Sequence, residues 1–65
     1  MSEANYLQIL RRLARQADDQ ISAQLEMIDG LIRVRLSTEE AEAALKAMRR
    51  TATALQERLK VLTAA

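Results

Sequence analysis

The sequence has no histidine, cysteine, tryptophan, phenylalanine or proline, one glycine (Gly30) and one tyrosine (Tyr6). Without histidine or cysteine, the usual general base, the thiolate nucleophile and the borderline-soft metal ligands are missing together. No disulfide can form, and one glycine cannot build a phosphate-cradling loop. Ser2, Ser22 and Ser37 have no histidine to activate them. The carboxylate pairs Asp18–Asp19 and Glu39–Glu40 are adjacent, which on a helix points their side chains about 100° apart, so neither pair holds one proton or one metal. An excess of one charge is also missing. Ten basic residues against nine acidic ones leave a net charge of +1, with no strong pull toward nucleic acid or membrane. The expectation is therefore no enzyme, no cofactor or metal, and no small-molecule substrate. No signal-peptide layout opens the chain and no apolar run approaches ~18 residues, so a cytoplasmic protein without a membrane segment is expected.

What the chain does have is helix-forming: twelve alanines, ten leucines, and glutamate, glutamine, arginine and methionine in quantity. In the second half Ala41, Leu45, Met48, Ala52, Leu55, Leu59 and Leu62 alternate spacings of four and three, the seam of a helix that packs on one neighbour. Ser37 followed by Glu40 reads as a capping box, with Leu36 and Ala41 at the staple positions and Glu39, Glu40 and Glu42 at the positive end of the helix dipole. This predicts a helix over about 38–62.

The first half is helical as well, over about 3–35. Leu7, Ala14, Ile21 and Ile28 form one seam column, and Leu10, Ala17, Gln24 and Leu31 the other. A further column at spacing seven (Tyr6, Leu13, Gln20, Met27, Val34) and, on the opposite flank, Leu25 and Ile32 widen the apolar surface beyond what one neighbouring helix needs. Gly30 weakens this helix by about 1 kcal/mol relative to alanine. Asp29 and Arg33, four apart, favour helix through it. The alternation of Leu31-Ile32-Arg33-Val34-Arg35-Leu36 also fits a half-buried strand. A ribbon-helix-helix arrangement built on that strand needs a break in the following helix, and residues 38–62 show none. We read helix.

With a turn at about 36–37 the helices run antiparallel, and facing residues carry numbers adding to about 73. This sets Leu45 against Ile28, Ala52 against Ile21, Leu55 against Ala17, Leu59 against Ala14 and Leu62 against Leu10. Large residues then face small ones, which is how facing positions reach native packing density. Twenty-five residues at 1.5 Å each make such a hairpin about 37–40 Å long. Gln24 in the seam is most simply explained by tolerated exposure, the alternative being a buried partner that sets register. Met27 and Met48 read as filler.

A two-helix hairpin has no inside. Tyr6, Leu13, Leu25, Met27, Ile32 and Val34 are left for a partner, and below roughly 70–80 residues association commonly supplies the stability that one core does not. A second copy, forming a two-fold four-helix bundle, or another helical protein would serve. Arg11, Arg12 and Arg15 lie toward the open end, as do Arg58 and Lys60. Doubled by a two-fold axis, that cluster suits phosphates, but internal pairing (Arg15–Asp19, Asp29–Arg33, Glu42–Lys46, Glu57–Lys60) and the lack of aromatics for base stacking favour a solvated surface.

The run Ala52-Thr53-Ala54-Leu55-Gln56-Glu57-Arg58-Leu59-Lys60-Val61-Leu62, after the acidic start at Glu39–Glu40, resembles the second helix of the small co-chaperones of type III secretion needle subunits. The resemblance implies a helical hairpin of about this length that binds a larger helical-repeat chaperone, the pair shielding the needle protein from premature polymerisation. It also implies packing roles for Leu55, Leu59 and Leu62. It covers the C-terminal helix alone.

The sequence thus predicts an all-α antiparallel hairpin, one domain over residues 1–65, with Leu10, Ile21, Ile28, Leu45, Met48, Leu55, Leu59 and Leu62 in its seam. The expected function is a protein–protein interaction module: an adaptor, co-chaperone or small inhibitor. The alternative is a small dimeric nucleic-acid-binding regulator.

Overall fold

A computed structural model describes residues 3–64, with side chains from residue 5 onward. Two helices, α1 (Glu3–Arg33) and α2 (Glu39–Thr63), pack as an antiparallel hairpin, and no strand occurs among the described residues. Residues 31–33 continue α1, and Gly30 sits inside it without a positive φ, its carbonyl accepting from Val34 N–H at 3.2 Å.

The first helix ends two residues earlier than expected, for a reason the backbone shows. Leu36 N–H donates to the Leu31 carbonyl (2.9 Å) and Arg35 N–H to the Ile32 carbonyl (3.1 Å), while Arg35 adopts φ 59°. These are the six-to-one and five-to-two bonds of a Schellman motif, with arginine at the left-handed position where glycine is usual. The chain reverses there, so the turn spans 34–38 instead of 36–37.

The start of α2 also departs from expectation. Thr38 is the N-cap without a side-chain cap bond, and Ser37 Oγ accepts from Glu39 N–H at 3.3 Å. The bond at Ser37 runs to Glu39, one residue short of the Ser37–Glu40 capping box. Leu36 stays 61% exposed, which leaves little of it to close a staple on Ala41. The acidic first turn, Glu39, Glu40 and Glu42, still complements the helix dipole.

The pairing of the helices also differs from the expected one. Gln24 is not exposed: it is 6% accessible, and its Nε2 donates to the Ala41 carbonyl at 2.8 Å. A facing sum of 73 would set Gln24 opposite residue 49, about 12 Å along the axis from Ala41 and beyond a glutamine's reach. A sum near 69 sets it opposite Leu45, one turn from Ala41. That bond, with the groove that brings Leu13, Gln16, Ala17 and Gln20 beside Thr51 and Leu55, puts the register at a sum near 69, below the expected 73. Gln24 is the buried polar group that marks it.

The seam itself lies where the heptads put it. Leu10, Ala14, Ala17 and Ile28 are buried, and Leu7, Ile21 and Leu31 half-buried. From α2, Ala41, Leu45, Met48, Ala52, Leu55 and Leu59 are half-buried, and no residue of that helix is fully buried. Leu62, expected in the seam, is 38% exposed because it lies at the open end with one short stretch of α1 beside it. The molecule measures 49 × 16 × 14 Å, longer than the expected 37–40 Å because α1 alone runs 31 residues. Its Cα radius of gyration is 15.1 Å. A compact domain of this length has about 11 Å.

Candidate partner-binding face

A helix with one neighbour has two flanks, and the flanks of this hairpin differ. On α1, Tyr6, Leu13, Gln20 and Met27 each precede a seam residue of the Leu7–Ile28 column, and Val34, just past the helix end, continues their spacing of seven. Ile9, Gln16, Ala23 and Gly30 lie three residues after Tyr6, Leu13, Gln20 and Met27. The two columns interleave at spacings of three and four, so α1 carries a second heptad seam. It is turned about 100° around the helix axis from the seam that meets α2. Tyr6, Ile9, Leu13, Met27 and Val34 on it are all exposed, Met27 at 55% and Val34 at 64%.

The same construction recurs on α2: Ala44, Thr51 and Arg58 interleave with Ala47, Ala54 and Val61. The two second seams face the same way, since a shallow groove between the helices is lined by Leu13, Gln16, Ala17 and Gln20 from α1 and by Thr51 and Leu55 from α2. Thr51 Oγ1 donates to the Ala47 carbonyl of its own helix at 3.3 Å, so its hydroxyl is satisfied without a partner. Arg58 and, in the first turn of α2, Glu40 are the charged residues in these columns.

The opposite flank carries Arg11, Arg15, Asp18 and Asp29 of α1 and Glu42, Lys46, Arg49 and Lys60 of α2, all exposed. Leu25 (43% exposed) and Ile32 (60%) lie among these charges. The six residues expected to meet a partner therefore divide as their columns did: Tyr6, Leu13, Met27 and Val34 lie on the apolar flank, Leu25 and Ile32 on the charged one. Residues that single-column reading missed are Ile9, Ala23, Gly30 and the alanines of α2. Their signal was the alternation of three and four displaced by one position from the main seam.

The five cations proposed for phosphate contact are not gathered. Arg58 is on the apolar flank, Arg11, Arg15 and Lys60 are on the other, and Arg12 is on the outer edge of α1. Of the four expected ion pairs, Asp29–Arg33 forms, between two well-exposed side chains, while Arg15–Asp19, Glu42–Lys46 and Glu57–Lys60 do not. Two further hollows are lined by α2 alone and are open surface undulations. No cluster of three or more histidine, cysteine or carboxylate side chains is placed to hold a metal among the described residues. No helix of the described residues is long and apolar enough to cross a membrane. Fold and surface together define an all-α hairpin with one largely apolar and one charged flank. Comparison with protein-family models, curated proteins and solved structures finds no match to this chain.

Proposed function

We propose that this chain is a non-enzymatic protein–protein interaction module, an adaptor, co-chaperone or small inhibitor, that works by presenting the apolar flank of α1 to another helical surface. The observation that carries this reading is the unpartnered second seam, with Ile9, Leu13 and Met27 in water. Exposed apolar residues scattered singly need no explanation, but a periodic stripe over more than six helical turns, broken only at Gln16 and Gln20, does. Helix-in-groove recognition uses side chains at this spacing. The co-chaperones of type III secretion needle subunits, which the C-terminal helix resembles, are one family that acts in this way.

The test is a double substitution, Leu13→Glu with Met27→Glu. Both residues are outside the hairpin seam, so circular dichroism of the variant should remain helical. Association with any helical partner, a second copy included, should be lost. A variant that associates as tightly as the parent overturns the assignment of the face. The nucleic-acid alternative is checked in parallel. Retention on duplex DNA that falls steeply with salt, and collapses when Arg11, Arg12, Arg15, Arg58 and Lys60 are replaced, would replace the present reading.

A further inference from the structure

We infer that the occupant of this face is a second copy of the chain, related by a two-fold axis that crosses the helices, so that α1 packs antiparallel on its own twin and α2 on its own. The inference rests on the interaction-module reading and adds partner, axis and register to it.

Three observations carry it. The first is area. The chain exposes 5381 Å², whereas a folded monomer of 7.3 kDa exposes about 4,200 Å². Withdrawing even half of that excess on each of two copies reaches the ~1,200 Å² at which stable interfaces begin. The second is angle. Two seams about 100° apart on each helix place every helix at the corner of a four-helix bundle, where it needs two neighbours and has one.

The third is register. In an antiparallel pairing of the second seam of α1 with itself, facing residues have numbers with a constant sum. At 36, Tyr6 meets the partner's Gly30, Leu13 the partner's Ala23, Ile9 the partner's Met27, and Gln16 the partner's Gln20. Each bulky residue except the Ile9–Met27 pair faces a small one, and polar faces polar. The space over Gly30 is open, with no atom within 4 Å of where a Cβ would stand. The ring of the partner's Tyr6 takes that place.

Charge on the outer edge excludes the register one heptad further on. Edge positions pair two residues further on, at a sum of 38, so Arg12 meets the partner's Glu26 twice per dimer. At this register Asp19 also meets its own twin once. One heptad further on Arg12 would meet Arg33 and Asp19 would meet Glu26, like against like. One heptad back Arg12 would meet Asp19, and there the seam decides, because Leu13 would face Gln16 and Ile9 would face Gln20. The second seam of α2, paired at 105, sets Arg50 against the partner's Glu57. Its axis falls between residues 52 and 53, that of α1 at residue 18. These positions add to about 70, the hairpin's own register, so one axis serves both helices. An axis running along the bundle instead would set Met27 opposite the partner's Glu40 and leave Gly30 beyond the start of α2.

The test uses the full chain. Light scattering in line with size exclusion over a concentration series should give a dimer. Arg12→Glu should weaken it about ten-fold, two exposed pairs being lost and two repulsions gained. Adding Glu26→Arg should restore it, while Arg11→Glu on the charged flank should leave it unchanged. Asp19 faces its own twin at the axis, so Asp19→Cys in this cysteine-free chain should form a disulfide-linked dimer on oxidation and Arg33→Cys should not. A chain that stays monomeric at every concentration overturns the self-partner. Rescue of Arg12→Glu by Glu57→Arg in place of Glu26→Arg, or no cross-link at residue 19, overturns the transverse axis. If Leu13→Glu with Met27→Glu leaves the dimer intact, the failure lies in the choice of face and not in the register.

Discussion

Arg35 holds the turn in a conformation that suits glycine better, and replacing it measures that strain. At φ 59° its Cβ crowds the following carbonyl, a cost of about 1–2 kcal/mol for an L-residue. Glycine removes the Cβ but loses more freedom on folding, about 0.5–1 kcal/mol. The Arg35 side chain is exposed and makes no ion pair among the described residues, so little is lost with it. Arg35→Gly should therefore stabilise the hairpin by about 0.5–1 kcal/mol. For a chain of this size that is a rise of roughly 3–6 °C in the thermal midpoint. Circular dichroism melts and urea titrations at one fixed chain concentration would read it. Arg35→Ala is the control, because it removes the charge and keeps the Cβ. If alanine stabilises as much as glycine, or glycine destabilises, the left-handed position is not where the strain lies and the Schellman closure is misassigned.

Other perturbations separate fold from association. Gln24→Ala should destabilise by about 1–2 kcal/mol through the lost bond to Ala41 and the space left behind, measured by urea denaturation. Leu59→Ala, in a half-buried site, should cost ~2 kcal/mol, the low end for a leucine truncation, in the same assay. Arg33→Ala removes an exposed ion pair and should change stability by under about 0.5 kcal/mol. Gly30→Ala should have opposite effects in two assays. Helix propensity gains about 0.8–1 kcal/mol in the dilute chain, since the new Cβ meets nothing there, while association weakens because the partner's Tyr6 loses its slot.

The sequence made the helices and their contact face legible because burial on a helix follows a period that composition cannot hide. Leu7, Leu10, Ala14, Ala17, Ile21, Gln24, Ile28 and Leu31 all turn inward as their spacing requires. The register was not legible, because it depends on where the backbone reverses. That reversal is closed by two main-chain bonds around an arginine, a residue that gives no sign of a left-handed conformation. Gln24 was misread for a related reason: whether a seam glutamine finds an acceptor depends on which carbonyl the register brings within reach. The second seam was visible in half only. Tyr6, Leu13, Met27 and Val34 stand out as large apolar residues, whereas Ala23, Gly30, Ala44, Ala47 and Ala54 look like helix filler until the flank they share is known.

The distribution of burial ties stability to association. Leu10, Ala14, Ala17, Gln24 and Ile28 all belong to α1, and α2 contributes only half-buried side chains. A helix that buries no residue fully gains little from tertiary packing, which is where helices in proteins ordinarily find their stability. A partner on the apolar flank covers Ala44, Ala47, Thr51 and Ala54 as well as the second seam of α1, so it stabilises α2 in the act of binding. Any ligand specific to the folded form adds RT ln(1 + [L]/Kd), about 2.7 kcal/mol at a hundred times Kd. For a small hairpin this is a large share of the whole, and the melting midpoint must rise with chain concentration if the partner is a second copy. It must be independent of chain concentration, and rise only with the concentration of the other protein, if the partner is something else. Binding on the apolar flank is thus linked to folding in the hairpin seam, and thermal stability is an assay of whatever covers that flank.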